Sequence, residues 1–244
     1  MKKLIALGLT AAMAASLAAC GGNGGSDATT AAGDTTTAAA GDTTAAADNS
    51  GAGAAGGAFK IGVIGPLTGP AAAYGIAVQN GADLAVKEIN AAGGAGGIML
   101  EMNAQDDEHD PQKSVNAYNT LKDWGVQVID GCVTSACSIA VAAKTAEDNI
   151  FQLTPSGSAV ECVANPNSFR VCFSDPNQGA ASAQYIGEHG LATKVAVIYD
   201  SSDVYSSGIY EKFAGEAANQ PFEIVTAGAF TADNKTDFSV QLQQ

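Results

Sequence analysis

Basic side chains are scarce in this chain: 11 lysines and arginines face 25 aspartates and glutamates over 244 residues, a formal net charge of -14. Like charges repel, which excludes nucleic acid and anionic membrane surfaces as electrostatic partners. Histidine is scarcer still, with only His109 and His189. Cysteine never occurs as C-x2-C, and two separated histidines cannot complete a zinc set, so no metal centre is expected. No G-x-S-x-G occurs, and neither histidine sits where a partner base for a serine nucleophile is obvious. The glycine-rich segment Gly65–Pro70 has neither the GK[ST] of a phosphate loop nor the G-x-G-x-x-G spacing. The chain is therefore expected to be no enzyme and to carry no cofactor.

Large side chains are absent from one long stretch. Between Gly21 and Gly57 the chain is mostly glycine, alanine, threonine, aspartate and serine, and Gly33-Asp34-Thr35-Thr36 recurs as Gly41-Asp42-Thr43-Thr44. Such a segment cannot bury enough apolar surface to offset the entropy of ordering it. It is expected to be a tether, spanning roughly 35 Å root-mean-square as a flexible coil. Ahead of it, Lys2 and Lys3 precede an apolar run from Leu4 to Leu17 and the tetrapeptide Leu17-Ala18-Ala19-Cys20. A basic start, a short apolar centre and small residues before a cleavage point describe a secretory signal peptide. The run is too short and alanine-rich for a membrane span. The tetrapeptide resembles the bacterial lipobox, which implies lipid on Cys20 and a protein held on the outer face of the cell membrane. Four cysteines then remain, Cys132, Cys137, Cys162 and Cys172. An even number in an exported chain suggests disulfides, three pairings are possible, and proximity along the chain favours Cys132–Cys137 and Cys162–Cys172.

From Phe59 onward, apolar strands alternate with amphipathic helical patterns. Strands are expected at 59–64, 98–104, 126–129 and 151–153. The first helix follows Tyr74 and carries Val78, Ala82, Ala85 and Ile89 on one face. A second starts at Asp110-Pro111, with aspartate as cap and proline in the first turn, buries Val115, Tyr118 and Leu121, and ends at Gly125. A third spans Ser135–Asp148 with Ile139, Ala143 and Ala146 on its face. Short, mostly apolar strands alternating with helices define an α/β class with a doubly wound parallel sheet. After Phe169–Phe173 the rhythm restarts, with helices near 178–188 and 206–218, strands at 194–199 and 222–227, and a helical signal around 237–240. The expected divisions are a signal peptide at 1–19, a lipid-anchored linker at 20–57, an N-terminal α/β lobe at 58–174 and a partial C-terminal α/β lobe at 175–244.

In open α/β sheets ligands gather at the carboxyl ends of the strands. Four segments belong there: Gly65–Pro70 leading to Tyr74-Gly75, Asp106–Asp110, Gly131–Ser135, and Thr154–Ser158. The acidic cluster could hold a cation or do acid–base work, but capping by Asp110 with solvated charge accounts for it more simply. Thr134 and Ser135 stand at a helix N-terminus, where free amides and the helix dipole attract a carboxylate. Ser156 and Ser158, flanking Gly157, offer hydroxyls and backbone groups from the next loop. Each serine could equally be no more than a cap or a turn former.

The order and spacing of several segments resemble the branched-chain amino acid binding proteins, extracytoplasmic receptors of ABC importers with the two-lobe type I periplasmic-binding fold. The carriers are Ile61–Pro70, Tyr74-Gly75, Asn80-Gly81-Ala82, Ile89–Gly94, Asp106-Asp107 before Asp110-Pro111, Gly131–Ser135, Leu153-Thr154-Pro155 and Val195–Asp200. The resemblance covers residue 58 to the end. It implies two lobes closing on a small ligand, a monomer, and delivery to a permease. It further implies that the α-carboxylate meets the hydroxyl and N–H of Ser135 and the residue at Ser158. The α-ammonium would meet the carbonyl near Ser156 and an acid of the other lobe, Tyr74 and Tyr205 would line the pocket, and Val133 would touch the ligand side chain. A disulfide of that family has its first cysteine replaced here by His109. The family's second lobe is longer, so the chain is expected to be a partial sequence with an incomplete second lobe. Two other readings remain at this level: a ligand-sensing receptor domain of the same fold for amides, urea or amino acids, and a surface hydrolase.

Overall fold

The computed structural model describes residues 57–244. The leader at 1–19, Cys20 and nearly all of the tether lie outside the described residues. Among the described residues, no helix is long and apolar enough to cross a membrane.

The first sheet is built around β1 (Phe59–Gly65), with β2 (Leu100–Asp106) on one side and β3 (Val128–Gly131), β4 (Phe151–Thr154) and β5 (Ser168–Arg170) on the other. Its order is β2-β1-β3-β4-β5 and every pairing is parallel. The central strand has to be hydrophobic on both faces, and Val63 and Ile64 are both buried. Helices α2 (Pro111–Trp124) and α3 (Ser135–Asp148) cover one face, where Ile64, Tyr118, Leu121, Ile129 and Val141 form the core.

Helix α1 (Ala72–Ala91) differs from the face expected for it. Its packing stripe runs through Gly75, Val78, Ala82, Val86 and Asn90, while Ala85 and Ile89 are exposed. The lower end is set by a side chain rather than by hydrophobicity: Asn90 Nδ2 donates to the Leu100 carbonyl at 2.9 Å, and the Leu100 N–H donates to Asn90 Oδ1 at 2.8 Å. Strand β2 accordingly starts at Leu100, and Ile98 belongs to the preceding turn.

The buried side of α3 also departs from the expected one. Ser138, Val141, Ala142 and Thr145 are buried, and Ala143 is exposed. A polar network explains the difference. Thr145 Oγ1 donates to Gln152 Oε1 at 2.8 Å, and Gln152 Nε2 donates to the Ser138 carbonyl at 3.1 Å. Buried polar groups are tolerated when paired this way, and hydrophobic periodicity cannot see them.

The second sheet pairs β6 (Lys194–Asp200) with β7 (Glu223–Phe230) in parallel. Helices α4 (Asp175–Glu188) and α5 (Val204–Ala217) pack around Ala183, Phe213, Ala217 and Phe222, and α6 (Ser239–Leu242) follows β7. Helix α4 begins three residues earlier than expected, because Ser174 caps it and Pro176 fits its first turn.

Candidate functional site

Parallel register brings the ends of the strands to one edge of the sheet: Gly65 lies beside Asp106, Ile64 beside Gly131, and Thr154 beside Arg170. The loops that follow meet there. Gly65 and Gly75 are required by close approach. A Cβ on Gly65 would stand 2.6 Å from Val133 Cγ2, and one on Gly75 would run into the Pro66 carbonyl. Asp106 then orders the loop after β1: its Oδ1 accepts the Leu67 N–H at 2.8 Å and its Oδ2 accepts the Thr68 hydroxyl at 2.6 Å. Burial pushes the Asp106 carboxyl up, but these bonds and the Glu108 N–H outweigh it and hold it below the ordinary value. The acidic cluster is thus a scaffold, with Asp110 capping α2.

The two serine loops interlock. Ser135 Oγ accepts the N–H groups of Ser158 and Ala159 at 3.1 and 3.2 Å, which leaves its own proton to donate. Ser156 Oγ donates to the Val133 carbonyl at 2.6 Å, and the Gly157 N–H donates to Thr154 Oγ1 at 2.8 Å. Thr154 Oγ1 itself donates to the Cys132 carbonyl at 2.6 Å. The Val133 side chain packs on Gly65. Ser158 Oγ is buried and without a partner among the described residues. Arg170 Nη1 steadies this loop by donating to the carbonyls of Ser158 and Ala159 at 2.7 and 3.1 Å. The structure therefore gathers Val133, Thr134, Ser135, Ser156, Gly157 and Ser158 around the first turn of α3. That turn has no side-chain cap, so its amides and the helix dipole face whatever anion settles there.

Tyr74 and Tyr205 stand further out. Tyr74 is 69% exposed in the first turn of α1, and Tyr205, 41% exposed on α5, accepts a hydrogen bond from Gln178 Nε2 at 3.3 Å. Sequence reasoning passed over Arg170 and Asp175, and it placed Asp106 and Thr154 at this edge without their hydrogen-bonding roles. Asp175 sits in the first turn of α4 and is buried beside Gly208 of α5. Burial raises its carboxyl, offset by the nearby Ser158 hydroxyl and Arg170, although no bond to that hydroxyl is completed. No periodic signal marks such residues, since each acts on a partner distant in sequence.

The disulfides Cys132–Cys137 and Cys162–Cys172 are corrected: all four residues are free thiols. Cys132 and Cys137 pack into the core of the first sheet, and Cys162 Sγ lies 3.6 Å from the Ser135 carbonyl rather than on Cys172. Burial raises the Cys132 and Cys162 thiols and pushes Cys137 up to about 11. Protonated thiols are poor nucleophiles, so these three behave as small core residues.

The uncapped first turn of α3 and the hydroxyl-bearing loops lie at the carboxyl edge of a parallel α/β sheet, the edge where open sheets of this class place their ligands. Residues 58–244 match the periplasmic binding protein family, and the chain belongs to that family. Among its relatives, the Leu/Ile/Val-binding protein homolog 3 of Brucella melitensis is 35% identical over 164 residues, which is 66% of this chain and 44% of that protein. A branched-chain amino acid transporter substrate-binding protein of Streptococcus pneumoniae, solved with isoleucine, superposes with a TM-score of 0.70 at 30% identity, covering 76% of this chain and 53% of that one. A leucine-binding protein of Thermotoga maritima gives 0.69 at 29% identity, with coverages of 76% and 52%. The fold is the type I periplasmic-binding fold, and the chain spans about half the length of the curated relatives it matches.

Proposed function

We propose that this protein is the solute receptor of an ABC importer, binding a branched-chain or other amino acid and delivering it to a permease, without catalysis of its own. The observation that carries the reading is the uncapped first turn of α3 beside the loop bearing Ser156, Gly157 and Ser158. A carboxylate is the ligand group that such a turn favours, and the relatives named above are described by the amino acids they bind. In this reading Thr134 and Ser135 present N–H groups and a hydroxyl proton to the carboxylate, and Ser158 Oγ gains its missing partner. The Ser156 region faces the ammonium, while Val133, Tyr74 and Tyr205 border the ligand side chain. The division into a signal peptide at 1–19, a lipidated linker from Cys20 to 57, and lobes at 58–174 and 175–244 would hold a monomeric receptor on the outer membrane face, within reach of its permease.

Calorimetric titration with leucine, isoleucine and valine tests this. Micromolar or tighter binding that weakens about tenfold in Ser135→Ala, the effect of about one hydrogen bond to a charged group, is the expected result. A folded protein that binds no amino acid would overturn it.

A further inference from the structure

Thr134 precedes α3 with an extended backbone, φ -108° and ψ 153°. A threonine there ordinarily turns its hydroxyl onto an amide of the first turn, as Asp110, Ser174 and Asp203 do for α2, α4 and α5. Thr134 caps no amide. Its Oγ1 lies 3.0 Å from His109 Nδ1 on the neighbouring loop. Either tautomer of the imidazole can hold the hydroxyl, as donor or as acceptor.

The imidazole is presented by a rigid turn. Glu108 and His109 both adopt left-handed backbone, with φ of 48° and 62°. The Glu108 N–H donates to Asp106 Oδ1 and the His109 N–H to Asp107 Oδ1, each at 2.9 Å. Asp106 is fastened to the loop after β1, and Asp107 is fully buried. Two adjacent left-handed residues are costly for side chains of this size, and their result is to aim one ring at one hydroxyl. Ser158, 3% exposed, donates its N–H to Ser135 Oγ in the same turn of α3, and its buried Oγ has no partner among the described residues.

We infer that His109 is a positioning residue: it draws the Thr134 hydroxyl off the first turn of α3 and keeps those amides open for an anionic group. The inference rests on the amino-acid reading above only for the identity of the anion. Without the imidazole, Thr134 rotates onto the Ala136 or Cys137 amide and competes with the ligand from within the chain.

Amide hydrogen exchange of the ligand-free full chain, together with titration by L-leucine, tests this in His109→Gly, which accepts the left-handed backbone. Exchange at Ala136 or Cys137 should slow several-fold, and leucine binding should weaken about five- to tenfold. In a Thr134→Val background, where no hydroxyl can cap, the same replacement should change neither. Unaltered exchange at both amides overturns the inference. So does a loss of affinity that persists in the Thr134→Val background, because His109 would then act on the ligand or the fold directly. If the wild-type chain binds no leucine, the ligand reading alone fails, and the exchange measurement still decides the role of His109.

Discussion

The two sheets of this molecule solve the same problem to different extents. The first has both faces of its central strands covered, and its core holds Ile64, Leu121 and Val141 with no exposed surface. The second is two strands wide and alternates: β6 buries none of its residues fully, Ile198 is 42% exposed, and the sealed part reduces to Ala183, Phe213, Ala217 and Phe222. A parallel sheet is stable in proportion to the cover on its two faces. Among the described residues, burial therefore concentrates in the sheet that carries the candidate site.

Core truncation tests this contrast most sharply. Leu121→Ala should cost about 3 kcal/mol, as for a fully buried leucine, whereas Ile198→Ala on β6 should cost under about 0.5 kcal/mol. Equal shifts in the denaturant midpoint would end the comparison. Gln152→Ala should follow at about 2 kcal/mol, because Thr145 and Ser138 lose their buried partner. A loss below about 0.5 kcal/mol would mean that the polar network does not hold α3 in place.

A pH-dependent effect concerns two strand aspartates. Asp130 on β3 has its carboxyl raised by burial to about 6. Asp200, at the end of β6, is held below the ordinary value by the Ser202 hydroxyl and backbone, which outweigh its burial. A raised folded value means that the folded state retains a proton the unfolded state has lost. Asp130 therefore costs stability as pH rises from about 4 through 6. Asp130→Asn should gain about 1 kcal/mol at pH 7, and the gain should fade as the pH approaches about 4. A gain that persists at the acid end would place its cause in packing rather than charge. For Asp200 the sign reverses: its contribution is present at neutral pH and is lost as pH falls through the depressed folded value.

Much of this was legible in the chain. Asp110-Pro111 and Gly125 bound α2 where expected, because a cap, an N-terminal proline and a left-handed glycine act within a few residues of themselves. Helix α3 begins at Ser135 and ends at Asp148 as read, and the serine loops sit at the sheet edge that strand alternation assigns them. The faces of α1 and α3 were misread. Asn90 and Gln152 hold those helices by side-chain bonds between helix and strand, and hydropathy scores such residues as surface.

The sequence by itself determined the class of protein, the order of its elements and the loops that meet at the carboxyl edge of the first sheet. Those properties follow from local periodicity, capping and charge, each expressed over a few neighbouring residues. Only the tertiary structure decided that Cys132, Cys137, Cys162 and Cys172 are unbridged, that Ser135 and Ser156 first serve their own backbone, and that His109 engages Thr134. Each of those outcomes is a competition for one hydrogen bond or one contact between loops far apart in the chain, and it is settled by which groups the parallel sheet brings within about 3 Å of each other.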